Sequence, residues 1–523
     1  MKFIPYGNAR WKRKLVVTLL IAAFPMTFVV NGVISYRSLI SFSSELTSVP
    51  VPSILIPGNA SRLSEMAAEF EFYLERDHLP LNYTLTVYWN DLFTEISAFG
   101  TAGDAAIWTG MTLAMAAYKY ATMKRDGNST QVQDALDLVH RMIFGVSLLL
   151  AIPNGGIGPR YAGVLARSVS PKNWSTTNPP IAGYDYTSHA DNRDVFDGKG
   201  DYSDWMWIGY PSLDQYSGIV MGITVAAALV DDSWVQDQVR LLAAQIIEHF
   251  RHTNWRLTDG NSPGTSRTTG QSFHYKIQIS SFWLLGVLFM GKLTDPTRYT
   301  SLFNHFAFER GYADRLALYS DLRMFSLFNY YSMNINWVIL HGMAAFETHP
   351  YLHALFGNLF ENTLYPVIQG HRNAWFNMAY LQVTGKNLPS VQDDVVDQLM
   401  RFDIERIPGQ ANTTRLPERG LNVTGNYHDL VNESWERMRF DEWLETKWYF
   451  PNARLNLGSL FMDASQEYLA KPKTVEHYQC VDFLWQRTPW EEYDYSPARR
   501  QDSGLSFLLP YYMARYCGFL EEG

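Results

Sequence analysis

An all-α fold is what this chain predicts, on three observations. From about residue 61 onward, apolar residues recur at spacings of three and four, with Gly, Pro or Asn clusters separating the periodic stretches. Strand-like alternation is scarce. No Rossmann glycine fingerprint, P-loop or βαβ alternation interrupts the run, which argues against Rossmann and TIM architectures. With 523 residues, 47% of them hydrophobic and 18% charged, the chain has enough apolar material for a large core.

The first element is a basic cluster, Lys2, Arg10, Lys12, Arg13 and Lys14, followed by a mostly apolar run over 15–34. At about 1.5 Å per residue, roughly 20 apolar residues span a bilayer core of about 30 Å, and a basic flank favours the cytoplasmic side. The expected organisation is a cytoplasmic tail with a signal-anchor helix over 1–35, a stalk over 36–57 and a helical domain over 58–523. This makes a single-pass type II membrane protein with its bulk lumenal or extracellular. A cleaved secretory signal is the rival reading, weakened by the length of the run and the lack of an A-x-A site. A buried N-terminal helix is the other. Seven N-x-[ST] triplets, at Asn59, Asn82, Asn128, Asn173, Asn412, Asn422 and Asn432, all follow the run and are candidate glycan acceptors in a eukaryotic host.

Helices are expected in order over 104–123, 132–151, 212–230, 233–252, 272–293, 325–346, 351–367, 453–470 and 504–516. The first, DAAIWTGMTLAMAAYKYATM, is rich in strong helix formers and opens on an aspartate that suits the helix dipole. Two irregular stretches divide them. Residues 152–211 carry Tyr184, Tyr186, Trp205 and Trp207, which suits an ordered, packed loop, whereas 408–432 holds three of the sequons and suits a solvated one. The segments 104–151 and 214–252 each read as a helical hairpin. Stacked hairpins can close into a ring with their helix-start loops on one face.

A net charge of −9 and the absence of a Lys/Arg stripe after residue 14 argue against a nucleic-acid partner. The only cysteines, Cys480 and Cys517, exclude a disulfide scaffold and leave open either one C-terminal bridge or two packed thiols. No metal site is expected, since HExxH, CxxC and EF-hand patterns are missing and 191–204 resembles a calcium loop only in composition. No cofactor is implied.

Chemistry is expected at the helix-start loops. Asp104 and Trp108 lie four apart in GDAAIWTG and share a helix face. Arg160 and Arg167, in GPRYAGVLARS, could clamp an anion or form a structural ion pair. The densest group is DYSDWMWIGYPSLDQYSG, with Asp201, Asp204, Trp205, Trp207, Tyr210, Asp214, Gln215 and Tyr216. Acids among aromatics suit sugars, whose apolar faces stack on rings while carboxylates bond hydroxyls or move protons. Asp104 and Asp214 are the best candidates for an acid and base pair of glycoside hydrolysis, although an N-terminal capping role accounts for each alone. His274, Asn336 and His341, with Asn334, His371, Asn373 and Asn377, are candidate substrate contacts, and for any one histidine a structural role is the simpler reading.

The segments GDAAIWTG, VLARS, LDQYSG and DFLWQRTPW with LLPYYMARY resemble stretches of (α/α)6-toroid proteins. Asp-opened helices and Trp-rich loops make the chain similar in pattern to the carbohydrate-active members of that group: unsaturated glucuronyl hydrolases, N-acylglucosamine epimerases and polysaccharide lyases. The resemblance implies an (α/α)6 toroid of helical hairpins over about 60–520, closed by 504–516, with Trp485 and Arg487 near its mouth. It implies an anchored enzyme, foremost a glycosidase, with Asp214 as acid and Asp104 as base. Trp108, Arg167, Trp205, Trp207, Gln215, Tyr216, His274, Asn336 and His341 would contact a carbohydrate or other small molecule. A lyase, epimerase or dehydratase-isomerase in the same cavity is an alternative, and an anchored noncatalytic binding or scaffold protein is another.

Overall fold

The computed structural model describes residues 8–47, 55–92, 94–127, 129–184, 195–258, 268–272, 281–317, 330–400, 402, 437–450, 452–460, 462, 466–469 and 499–521, with backbone alone for 8–25, 47, 268–272, 281–282, 316–317 and 330–333. Helix makes up 67% of it and strand 9%, which places the chain in the all-α class with small accessory sheets. The helices are α1 (Asn8–Thr47), α2 (Ala60–Asp77), α3 (Ala105–Asp126), α4 (Ser129–Asn154), α5 (Leu213–Leu229), α6 (Ser233–His252), α7 (Ser281–Thr294), α8 (Pro296–Asn304), α9 (Tyr312–Ala317), α10 (Tyr330–Ala344), α11 (Pro350–Leu359), α12 (Tyr365–Ile368), α13 (Ala374–Thr384), α14 (Pro389–Met400), α15 (Phe440–Trp448) and α16 (Leu505–Tyr516).

Local chemistry sets their ends. The Asn59, Asp232 and Asp295 side chains accept from backbone N–H groups in the first turns of α2, α6 and α8, and Gly127 ends α3 at φ 80° with its N–H on Met123 O. α3 is buried almost throughout and packs on α5, α4 and α16. The α5 helix in turn meets α6, α7 and α10; α10 meets α13, α13 meets α16, and α16 returns to α3. α3 and α5 run in the same direction: Asp104 meets Gln215 at their starts, and Tyr120 Oη donates to Asp231 Oδ1 at 2.6 Å near their ends. At that far end Gln382 Oε1 accepts from Tyr118 Oη at 2.8 Å and faces His341 Nε2 at 2.9 Å.

Among the described residues, four small antiparallel sheets decorate the helices. β1 (Thr86–Trp89) lies between β2 (Ile96–Gly100) and β10 (Arg500–Gln501), with Val87 opposite both Phe99 and Gln501. β5 (Trp205–Ile208) lies between β3 (Val169–Pro171) and β4 (Val195–Asp197), which gives the expected loop 152–211 an ordered framework. β6 (Arg256–Thr258) pairs with β7 (Thr268–Ser272), and β8 (Arg437–Arg439) with β9 (Glu467–Leu469).

Two expected helices differ. Of the helix expected over 272–293, Ser281–Thr294 is described as α7, whereas its first residue, Ser272, belongs to the strand β7. The one expected over 453–470 is replaced by two short 3-10 turns, Ala453–Leu455 and Leu457–Leu460, and by β9. Gly458, whose Cβ would sit 3.1 Å from Leu39, and the left-handed Asn452 at φ 65° suit turns better than a helix. The expected stalk, 36–57, is helical up to Thr47, and its Leu39, Phe42 and Leu46 are buried, Phe42 edge-on to Phe440 and Trp443. Among the residues whose side chains are described, Ser129–Asn154 is the one helix long and apolar enough to cross a membrane, but 67% of its most apolar 18-residue window is buried. That burial marks a core helix.

Candidate functional site

Asp104 and Asp214 come together because α3 and α5 start side by side. Gln215 Nε2 lies 3.2 Å from Asp104 Oδ1 and 3.0 Å from Asp214 Oδ2, so one amide bridges the two carboxylates. The helices approach this closely through glycine. A Cβ on Gly110 would lie 2.1 Å from Gly218 C and O, and one on Gly222 would lie 2.3 Å from Gly110 O.

The two acids are held differently. Asp104 occupies the N-cap position of α3 without making a side-chain cap bond; its carboxylate, 36% exposed, faces Arg167 Nη1 at 3.7 Å. Asp214, 5% exposed, sits in the first turn of α5 against the Ser212 hydroxyl. Ser212 and Gln215 belong to one capping arrangement, in which Gln215 Oε1 accepts from Ser212 N at 2.8 Å. The S-x-x-Q pattern that announces it stands in the sequence, so Ser212 was legible there.

Arg167 is the hub. Its guanidinium donates to Tyr210 O at 2.8 Å, Gly103 O at 2.8 Å and Ser212 Oγ at 3.0 Å, and its own carbonyl accepts from Ala106 N at 3.0 Å. Thus the loop carrying Arg167 pins the starts of α3 and α5 to each other. Tyr210 closes this corner in the left-handed region, at φ 53°. What the arrangement offers chemically is one accessible carboxylate, a second behind it, an amide between them and a cation beside the first.

The other sequence candidates fall into three groups. Trp108 is buried on α3, and Trp205, half-buried, opens β5. Trp207 and Tyr216 are core: Trp207 Nε1 donates to Asp197 O at 3.1 Å, while Tyr216 Oη donates to Gly163 O at 2.9 Å and accepts from Leu165 N at 3.1 Å. Asn336 and His341, both on α10, lie apart: Asn336 Oδ1 accepts from Trp283 Nε1 at 3.0 Å, and His341, fully buried beside Gln382, has its pKa lowered by desolvation to about 4. His274, Trp485, Arg487 and Cys480 lie outside the described residues, as do Asn128, Asn412, Asn422 and Asn432. Of the remaining sequons, Asn59 and Asn173 are exposed, and Asn82 is half-buried with its amide oxygen accepting from Arg141 Nε at 3.0 Å. Burial pushes the Cys517 thiol up to about 12.

A second polar cluster takes in one residue singled out from the sequence, Asn377, while its charged members were not foreseen. Arg372, fully buried and left-handed at φ 52°, donates from Nε to Asp394 Oδ1 at 2.7 Å and from Nη2 to Asp397. Asn377 Nδ2 donates to Asp394 Oδ2 at 2.7 Å, and Tyr365 Oη donates to Asn377 Oδ1 at 3.1 Å. Burial raises the Asp394 pKa, with Arg372 opposing it. The aspartates on α14 gave no sign in sequence of a buried partner 22 and 25 residues upstream.

Compared with protein-family models, with curated proteins and with solved structures, the chain gives no match.

Proposed function

We propose that this chain is a membrane-anchored, lumenal or extracellular enzyme of the (α/α)6-toroid type, acting as a glycosidase at the Asp104 and Asp214 cluster. The observation that carries this reading is the shared amide of Gln215: the two distances to it sum to about 6 Å, an upper bound on the separation of those carboxylate oxygens. Paired acids about 5–5.5 Å apart serve double displacement, and wider pairs admit a water for inversion. The close spacing favours the first. Asp104 is the group that meets solvent, Asp214 the acid behind it, and Trp108 and Trp205 the rings that would stack on a sugar. Support for the ring comes from the circuit of helix contacts from α3 through α5, α10, α13 and α16 back to α3, with α3 and α5 starting on the same side. The anchor rests on the uncharged run of 15–34 and on the exposure of Met26, Phe28, Val29, Val30 and Val33.

A specific observation favours a second reading, an anchored noncatalytic protein. Asp214 is buried within a capping arrangement, and Trp207 and Tyr216 are spent on the core. The test is hydrolysis of a glycan library by the full chain in detergent, with Asp104→Asn beside it. Cleavage that Asp104→Asn abolishes at an unchanged melting temperature supports the enzyme. No cleavage by the parent chain, or cleavage untouched by Asp104→Asn, removes this site as the catalytic one.

A further inference from the structure

A short apolar shelf lies beside the N-terminal helix at the place where it joins the domain. Asn31 Nδ2 donates to Leu455 O at 2.9 Å and Asn31 Oδ1 accepts from Leu457 N at 3.1 Å, so the two 3-10 turns of 453–460 are clamped to α1. One turn further along α1, Ser35 Oγ donates to that same Asn31 oxygen at 3.0 Å. The turns hide Ala453 and Gly458 yet leave Leu455 66% and Leu460 76% exposed. On the helix itself Met26, Phe28, Val29, Val30 and Val33 are half to two-thirds exposed. Seven apolar side chains thus remain in water around one hydrogen-bonded joint. Such clustering marks an interaction surface.

We propose that the turns of 453–460 are a membrane-seated ledge, with Leu455 and Leu460 inserted at the boundary between headgroups and hydrocarbon of the bilayer that α1 enters. This rests on the anchor reading and extends it to the globular domain. A bilayer is the occupant for three reasons. The exposed helix residues belong to an uncharged run whose length matches a bilayer core. Asn31 lies three residues before the end of that run, which sets Leu455 about one helical turn from its boundary. Finally, Tyr36 and Arg37, both exposed, lie on α1 just past the run, and the exposed Arg454 adjoins Leu455, the residue types that sit at headgroup depth. The domain therefore rests on the membrane, held by the buried second half of α1.

The test places an environment-sensitive fluorescent amino acid at 455, at 460 or at 29 in the full chain, reconstituted in phosphatidylcholine and phosphatidylserine vesicles. Quenching is read with lipid-borne nitroxide and with aqueous iodide. The expected result is several-fold stronger nitroxide quenching than iodide quenching at all three positions. Lipid quenching at 29 with iodide quenching at 455 and 460 overturns the ledge and leaves the anchor standing. Iodide quenching at all three overturns both. An unchanged melting temperature certifies the labelled proteins, since all three positions are exposed.

Discussion

Gly110 and Gly218 pack backbone to backbone: a Cβ on Gly110 would stand 2.1 Å from the Gly218 carbonyl, and one on Gly218 would stand 2.3 Å from Ile107 O. No side chain at either site fits without moving a helix axis. Replacing either glycine by alanine is therefore expected to lower stability by about 3 kcal/mol or more, because the obstacle is main chain and cannot turn aside. Gly357→Ala, on α11 with nothing within 4 Å, should instead gain roughly 0.5–1 kcal/mol from helix propensity. Denaturant midpoints of the three variants check the contrast; a mild Gly110→Ala would mean that the crossing can relax.

The buried Arg372 gives a second expectation. Its removal as Arg372→Met leaves Asp394 and Asp397 without their cation in a dry site, a loss on the order of 3–5 kcal/mol. Neutralising the acids as well, with Asp394→Asn and Asp397→Asn in the same chain, should recover part of it. Chemical denaturation of the single and triple variants decides whether the charge or merely the shape matters there.

Acid should weaken the fold through three histidines. Desolvation brings His78, His249 and His341 each to about 4 in the folded chain, from an ordinary 6.5. Between those values the unfolded chain holds the extra protons, so the stabilising contribution is whole above about pH 6.5 and is lost as the pH falls toward 4. A melting temperature that declines through this window, by an amount worth on the order of 3 kcal/mol for each histidine, is the expected outcome. His341→Gln should flatten the decline.

The two candidate acids should separate on stability. Asp104 is partly exposed, and its partners Gln215 and Arg167 keep their other hydrogen bonds when it is removed, so Asp104→Ala should cost about 1 kcal/mol. Asp214→Ala removes a buried partner of Gln215 and Ser212 and should cost about 2 kcal/mol. Thermal melts of both proteins provide the comparison.

Much of the helical scaffold could be read from periodicity, and α6 shows why. Asp232 caps it, apolar residues follow at helical spacing, and the expected span, 233–252, is the observed one. Where the readings diverged, local pattern met a distant partner. The segment 453–470 has helix-like apolar spacing, yet Leu39 presses on Gly458 and β8 draws 467–469 into a strand. Strands of three residues carry too few positions to show an alternation. The site was legible in part: Asp104, Asp214, Gln215 and Arg167 are named from their helix-start and loop positions, and Gln215 bonds both acids while Arg167 faces Asp104. That Trp207, Tyr216 and His341 would be spent on internal contacts depended on partners such as Asp197, Gly163 and Gln382, which no spacing rule reveals.

The return of α16 to α3, and of β10 to β1, has a bearing on how the chain is made. Residues 105–126 leave the ribosome well before 505–516, and at about 5–20 residues per second the interval is on the order of tens of seconds. Throughout it, the flank of α3 that 505–516 will cover is without that native cover. Nascent chains stalled short of residue 500 would thus be clients for a holding chaperone, and release of that client would coincide with completion of the last helix.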